Sequence, residues 1–226
     1  MTGVQTCALP ISPSAGDSFE LPSTQKVEGA PIGKLFLDGR GLSTAMFWIA
    51  FFMCLFMVYA LSSWLTKLMA QAGYSLGSAL TFVLVLNFGA MIGAIGGGWL
   101  ADRFSIKKVV MCFFALAAVS ISLLGVKMPT EALFVVVGLA GASTIGTQIL
   151  IYAYVGQYYP MAIRSTGIGF ASGVGRSGAI LAPIVIGTLV GMALPLEQNF
   201  IAIAIPAVIA LIAVGLVNQK RSASAL

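Results

Sequence analysis

The sequence predicts an all-α integral membrane protein with six transmembrane helices. Of its 226 residues, 59% are hydrophobic and only 8% are charged, whereas soluble domains carry about a quarter charged residues. The apolar residues fall into six runs, each close to the roughly 20 residues that a helix needs to cross a bilayer. The chain has no His and only seven carboxylates, which excludes His-dependent catalysis and disfavours most other membrane-enzyme mechanisms.

Spans one to three carry features typical of membrane helices. Tryptophans, which prefer the bilayer interface, lie near predicted span ends: Trp48 and Trp64 in span one and Trp99 in span two. Span two also carries small residues at spacing four, which allow helices to pack closely in lipid. These are Gly89, Gly93 and Gly97. The predicted bounds are 43–65, 77–100 and 109–126.

Spans four to six are predicted at 132–157, 165–191 and 199–217. Pro183 and Pro206 lie inside the last two spans. Each removes a backbone donor, so we expect a kink, which could be either a static bend or a functional hinge. Small residues at spacing four recur in spans four and five. They are Gly138, Ala142 and Gly146, then Gly169 and Gly173.

The basic residues outside the spans predict the orientation of the chain, because cytoplasmic loops are enriched in Lys and Arg. Nine lie on one side and only Lys67 and Lys127 on the other, so both termini are expected in the cytoplasm. The net charge of +5 then reflects topology and contact with anionic lipid rather than nucleic-acid binding. The nine are Lys26, Lys34, Arg40, Arg103, Lys107, Lys108, Arg164, Lys220 and Arg221.

The two ends of the chain differ in character from the predicted bundle at 42–218. Residues 1–12 match the translation of a sequencing adapter read from a GTG start, so we expect them to be an artefact, with a genuine short N-terminus as the alternative. Residues 13–41 are polar and rich in Pro, which is typical of a cytoplasmic linker ending in a short interfacial segment. Residues 219–226 are expected to form a cytoplasmic tail.

The loop after span two carries a motif. Residues 98–108 read GWLADRFSIKK and resemble the loop pattern G-x-L-a-D-R-x-G-R-K of the major facilitator superfamily, with Asp102, Arg103 and Lys107 matching. Ser105 and Ile106 depart from that pattern in the manner of its second copy. Residues 159–167, YPMAIRSTG, resemble the corresponding loop between helices ten and eleven. The resemblance implies that the chain is the C-terminal half, helices seven to twelve, of a twelve-helix fold.

Further segments resemble the aromatic acid:proton symporter family, which includes benzoate and 4-hydroxybenzoate permeases. They are the SWL at 63–65, the AGYS at 72–75, the Gly-rich second span and the GVGR at 173–176. This resemblance implies proton-coupled uptake of an aromatic carboxylate by alternating access, as a multi-pass protein of the inner (plasma) membrane. No cofactor is implied.

The resemblance to the major facilitator superfamily also implies a role for the charged residues of the loops at 98–108 and 159–167. They form a latch, a set of breakable contacts between the two six-helix bundles, which favours the outward-facing state. Residues at the cytoplasmic end of a helix can pair with a charged residue or a helix terminus of the other bundle. Alternatively, the basic residues only fix topology. The candidate latch residues are Asp102, Arg103, Lys107 and Arg164.

Arg176 is the strongest candidate for substrate binding. It lies twelve residues after Arg164, about 18 Å into span five and near the bilayer midplane. An Arg there must be paired or face water, and its guanidinium can bind a carboxylate through two hydrogen bonds. The alternative is a structural ion pair with an acid in the missing half.

Other polar side chains are expected near the same depth. Gln148 lies about 14 Å and Asn87 about 20 Å from the cytoplasmic ends of their spans, and Thr144, Gln148 and Tyr152 form a stripe at spacing four. In the superfamily, helices equivalent to spans one and four line the cavity, which adds Tyr59 to the candidates. Each of these residues could instead make an interhelical hydrogen bond.

No carboxylate lies inside a predicted span, since Asp102, Glu131 and Glu197 all lie in connections. The coupling proton site is therefore expected in the missing N-terminal six-helix half. Two alternatives remain open: a major facilitator transporter of a sugar, drug or other metabolite, and a membrane scaffold that transports nothing. The expected partners are a small anionic substrate, protons and the bilayer, with no nucleic acid.

Overall fold

The computed structural model describes residues 32–222, apart from the side chains of Asp38, Leu76 and Lys220. This part of the chain contains six α-helices and no strand, and each helix is long and apolar enough to cross a membrane. The predicted all-α membrane fold is confirmed. The helices are α1 (Gly41–Gln71), α2 (Leu76–Arg103), α3 (Ile106–Leu123), α4 (Thr130–Tyr158), α5 (Met161–Gly191) and α6 (Leu196–Leu216).

Short segments flank the bundle. Two 3-10 turns, Gly33–Leu35 and Leu37–Gly39, precede α1, and a third, Gln219–Arg221, follows α6. The predicted artefact at 1–12, most of the linker and the last four residues of the tail lie outside the described residues.

Eleven of the twelve helix ends differ from their predicted positions, by one to six residues, and two of these differences have a cause in the structure. α1 continues six residues past Leu65, because Leu65, Leu68 and Met69 are fully buried and packing extends the helix. α3 stops at Leu123, three residues early, because the next residues form a turn in which the Leu124 N–H donates to the Ile121 carbonyl. Hydropathy alone predicts neither the packing that extends α1 nor the turn that ends α3.

The helices pack in a defined arrangement. α2 packs along α4, α1 along α5 and α6, and α3 against both α4 and α6. The starts of α1, α3 and α5 and the ends of α2, α4 and α6 therefore lie at one end of the bundle, which is the end predicted to be cytoplasmic. We call it the basic end, because it carries Arg103, Lys107, Lys108 and Arg164.

The contact between α2 and α4 brings backbone against backbone. A Cβ added at Gly89 would overlap the carbonyl of Gly138, and one added at Gly93 would overlap the carbonyl of Ala142. The predicted small-residue stripes thus face each other. In lipid, where no hydrophobic drive joins helices, this close approach supplies van der Waals contact.

The α1 to α5 contact uses glycines that the spacing pattern did not single out. A Cβ at Gly178 would overlap the backbone carbonyl of Phe52, and one at Gly175 would lie 3.2 Å from the carbonyl oxygen of Phe51. By contrast, the predicted packing residues Gly169 and Gly173 have open space where a side chain would be. They do not pack within the described bundle.

α2 and α5 are the least covered of the six helices. Only 33% of the most apolar stretch of α2 and 22% of that of α5 is buried, compared with 61% in α1. The open faces of α2 and α5 are therefore available to lipid, water or further protein.

Gly93 and Gly96 give a matched test of the backbone contact. Gly93→Ala should lower the free energy of unfolding by about 1–3 kcal/mol, because the added methyl overlaps α4 and forces the helices apart. Gly96→Ala, which meets no atom within 4 Å, should leave stability unchanged or slightly higher. Thermal unfolding in detergent measures both, and equal midpoints would contradict the contact.

Candidate functional site

Arg176 lies at the middle of α5, on the open side of that helix. The buried stripe of α5 runs through Ala171, Gly175, Gly178 and Ala182, whereas Arg176 is exposed. No hydrogen bond or ion pair joins its guanidinium to another residue within 32–222. A guanidinium at this depth is too costly to leave against lipid tails, so this part of the open face must meet water or a polar partner.

A groove of about 610 Å³ runs along the same open face, toward the basic end from Arg176. Gly173, on its floor, lies three residues before Arg176 and so on the same side of the helix. Val174 joins this groove to a second one of about 340 Å³ along α1. The first groove is lined by Thr166, Gly169, Phe170, Gly173 and Val174, and the second by Ala45, Trp48, Ile49, Phe52, Met53 and Val174.

Each groove is lined by one member of an aromatic pair, Phe170 in the first and Trp48 in the second. The ring centroids of Trp48 and Phe170 lie 6.5 Å apart, with 27° between the ring planes. The open face therefore offers a fixed cation beside an apolar, partly aromatic surface.

Tyr152 is brought close to the level of Arg176. Its ring packs edge-on against Phe51, with centroids 4.8 Å apart, and Phe51 also contacts Gly175, the neighbour of Arg176. Gln148, one turn before Tyr152 on α4, is half-buried. Thr144, in contrast, is buried and donates to the Ala140 carbonyl at 2.7 Å, so the polar stripe turns inward there.

Tyr59 lies on α1 further from the basic end and is 43% exposed. In the sequence, Tyr59 lies between Phe52 and Trp64, which both contact α5. The backbone of Phe52 lies against Gly178, and the Trp64 indole N–H donates to the Pro183 carbonyl at 3.2 Å. Because α1 and α5 run parallel, Tyr59 lies roughly 8 Å beyond the level of Arg176.

Asn87 does not join the other candidates. Its side-chain amide donates to the Val83 carbonyl of its own helix at 2.7 Å, and its neighbours on the open face of α2 are apolar, including Leu84 and Phe88. The α2 to α4 contacts place Asn87 roughly 15 Å further from the basic end than Gln148. Asn87 therefore does not lie at the depth that the other polar candidates share.

Asp102 and Arg103 form the last turn of α2 and are exposed at the basic end. The Arg103 guanidinium lies over the Trp99 ring, 4.6 Å from its centroid, a favourable cation–π geometry. Asp102 has no hydrogen bond or ion pair to any residue of the described part of the chain. Of the three residues that match the loop pattern, Asp102, Arg103 and Lys107, only Asp102 has no partner there.

Lys107 and Arg164 bind within the bundle. The Lys107 ammonium donates to the carbonyl oxygens of Gly215 at 2.8 Å and Val217 at 2.7 Å, at the end of α6. The Arg164 Nε–H donates to the Tyr159 carbonyl at 3.4 Å. The four predicted latch residues thus divide into two exposed ones and two with partners in the same bundle.

A cluster of tyrosines at the basic end was missed by sequence reasoning. Tyr154 and Tyr158 each pack against Phe47 with ring centroids 5.1 Å apart, and Tyr159 lies 5.3 Å from Tyr158. Thr44 shares a 2.8 Å hydrogen bond with the Tyr159 hydroxyl and donates to the Leu35 carbonyl at 2.9 Å. Four tyrosines within residues 152–159 were the available signal.

Comparison with known protein families identifies the fold. Residues 47–225 match the family model described as Major Facilitator Superfamily. The chain belongs to the major facilitator superfamily. It is therefore a multi-pass membrane protein of a family of transporters rather than enzymes.

The curated relatives include several transporters named for aromatic acids. The chain is 47% identical over 199 residues to the benzoate transport protein of Acinetobacter baylyi, covering 88% of the chain and 43% of the relative. It is 38% identical to the gentisate transporter of Corynebacterium glutamicum, covering 86% and 44%. It is 33% identical to the 4-hydroxybenzoate transporter of Pseudomonas putida, covering 93% and 49%. The chain spans less than half the length of these relatives.

A solved structure shares the fold. The fucose:proton symporter of Escherichia coli superposes with a TM-score of 0.69 over 78% of this chain and 43% of the symporter, at 17% identity. The resemblance predicted from the loop motif and the Gly-rich span is confirmed at the level of the family and of its aromatic-acid members.

The buried tyrosine between α4 and α5 predicts a pH dependence of stability. Burial raises the pKa of Tyr159 to about 12, opposed by the Thr44 hydrogen bond and the nearby Arg40 charge. Because an unfolded Tyr ionises near pH 10, the stability that Tyr159 contributes is present below pH 10 and lost as the pH rises toward 12. Thermal unfolding at pH 8 and pH 11 should show a larger fall for the unmodified chain than for Tyr159→Phe; equal falls would contradict this.

Proposed function

We propose that this chain is the C-terminal half of a proton-coupled importer of an aromatic carboxylate, of the benzoate or hydroxybenzoate type. The observation that carries the proposal is Arg176, an exposed cation at the middle of a membrane helix that has no hydrogen bond or ion pair within residues 32–222. Relatives named for benzoate, gentisate and 4-hydroxybenzoate support the choice of substrate class.

Arg176 suits the carboxylate of such a substrate. A guanidinium presents two parallel N–H donors that match the two carboxylate oxygens. Bound in a cavity shielded from bulk water, that pair is stronger than at a protein surface. The fixed charge also raises the local concentration of anions over neutral solutes.

The remainder of the substrate would meet Tyr152, Gln148 and Tyr59. Tyr152 and Tyr59 offer ring faces and hydroxyls, and the Gln148 amide can donate or accept a hydrogen bond to a ring hydroxyl. Asn87, placed apart on α2, is the weakest member of the proposed set.

The proton site and the second wall of the cavity are assigned to the N-terminal half. Glu131 and Glu197 lie in the first turns of α4 and α6 and Asp102 in the last turn of α2, so none of them reaches the level of Arg176. Transport would proceed by rocking of two six-helix bundles about a midplane site. For a bacterial chain, such a protein would lie in the inner membrane.

The exposed Asp102 is proposed as the latch residue that meets the other half. Arg103, held over Trp99, flanks it, whereas Lys107 and Arg164 would support the latch from inside the bundle. A carboxylate without a partner in its own half can pair with a cation or a helix N-terminus across the interface.

Substitution of Arg176 tests the proposal in a chimera in which residues 32–222 replace the matching half of the Acinetobacter benzoate transport protein. Arg176→Ala should lower benzoate uptake at least tenfold, because the carboxylate loses a charge-assisted pair. Arg176→Lys should retain part of it. Ser177→Ala, an exposed neighbour whose hydroxyl bonds its own helix, is the control and should transport normally.

Uptake of labelled benzoate, 4-hydroxybenzoate, gentisate and a neutral sugar by the unsubstituted chimera separates the alternatives. Sugar uptake without aromatic-acid uptake would favour another cargo. A chimera that inserts normally but moves no solute, or near-normal uptake by Arg176→Ala, would contradict the proposed function.

Asp102→Asn in the same chimera tests the latch. It should lower the rate of uptake several-fold by destabilising the outward-facing state, while the unfolding temperature of the isolated 226-residue chain stays unchanged because Asp102 has no hydrogen bond or ion pair within residues 32–222. A fall in that temperature with full transport would show that Asp102 acts within the bundle instead.

A further inference from the structure

The C-terminal end of α6 lacks a cap of its own. The last four carbonyls of a helix have no partner within the helix. α6 has no basic residue in its last turn. Its C-cap residue, Val217, is extended, with its N–H bonded to the Val214 carbonyl. The carbonyls of Gly215 and Val217 must therefore find donors elsewhere.

Lys107 supplies those donors from the first turn of α3. Its ammonium reaches both carbonyls, at 2.8 and 2.7 Å, and places a positive charge at the negative end of the α6 dipole. Hydrogen bonds with a charged donor are roughly twice as strong as neutral ones. Two neutral hydrogen bonds lie beside these: the Asn218 N–H donates to the Ser43 hydroxyl oxygen at 3.1 Å, and the Tyr158 hydroxyl donates to the Asn218 carbonyl at 3.3 Å. We call this set of hydrogen bonds at the end of α6 the joint.

This joint lies directly next to the loop motif. Phe104 and Ser105 alone separate Arg103, the last residue of α2, from Ile106, the first of α3. α2 packs on α4 and touches α3 little, whereas α3 packs on α4 and α6. The start of α3 is held by this packing, and the Lys107 bonds add a polar tie between its first turn, next to the loop, and the end of α6.

We propose that Lys107 is a positioning residue, which caps α6 from a neighbouring helix and thereby fixes the loop that presents Asp102 and Arg103. Its role lies inside the bundle, in contrast to a direct contact with the other half. The neighbouring Lys108 is exposed and has no such bond within residues 32–222. The two lysines of one motif thus differ in function although their charge is the same.

Hydrogen–deuterium exchange of the 226-residue chain in lipid nanodiscs tests this inference. Lys107→Ala should speed exchange of the amides of residues 217–222 roughly tenfold, because loss of the charged cap frays the joint. Lys108→Ala, which removes the same charge one residue away, should leave them unchanged, and Lys107→Arg should restore protection because a guanidinium can also donate to two carbonyls. Peptides from the middle of α4 serve as the internal standard.

Equal exchange in Lys107→Ala and Lys108→Ala would overturn the inference, as would a Lys107→Arg chain that exchanges as fast as Lys107→Ala. If Lys107→Ala loses protection throughout the bundle, Lys107→Gln decides. Lys107→Gln keeps a donor without the charge. Its exchange should be confined to residues 217–222, at a rate between those of the unsubstituted chain and Lys107→Ala. Full protection of these residues in Lys107→Gln would equally overturn the inference.

Discussion

The close backbone contact between α2 and α4 is the constraint on which the rest of the bundle depends. In lipid, apolar side chains gain little by leaving the solvent, so helices associate where their backbones can approach. Gly89 and Gly93 allow that approach to Gly138 and Ala142, and Gly175 and Gly178 do the same between α5 and α1. These two pairs, bridged by α3 and α6, fix which faces of α2 and α5 remain open.

One charged residue, Arg176, decides what the open face of α5 can contact. Without Arg176, an exposed apolar surface with open glycines would be compatible with lipid contact. A guanidinium at the middle of the helix is not, because its desolvation cost requires water or a partner. The packing that buries Gly175 and Gly178 therefore turns Arg176 outward and, with Phe51 between them, sets Tyr152 near its level.

The basic end shows how residues of one motif separate into different roles. Asp102 and Arg103 end α2 and stay exposed, while Lys107 opens α3 and binds the end of α6. Nearby, Thr44 and Tyr159 connect the start of α1 to the turn between α4 and α5. The family match and the aromatic-acid relatives agree with the motif, yet the motif alone does not reveal this division.

The sequence by itself determined the number of helices, their class, the family and the position of Arg176 near the middle of its helix, because hydropathy, charge distribution and loop motifs are read from neighbouring residues. It placed Asn87 with the other polar candidates by its depth along the helix, and Lys107 in the latch by its match to the loop motif. The tertiary structure decided which side of each helix is open, that Asn87 stands apart, and that Lys107 caps a helix more than a hundred positions away. Those outcomes depend on helix rotation and crossing, which arise from contacts between residues distant in the chain.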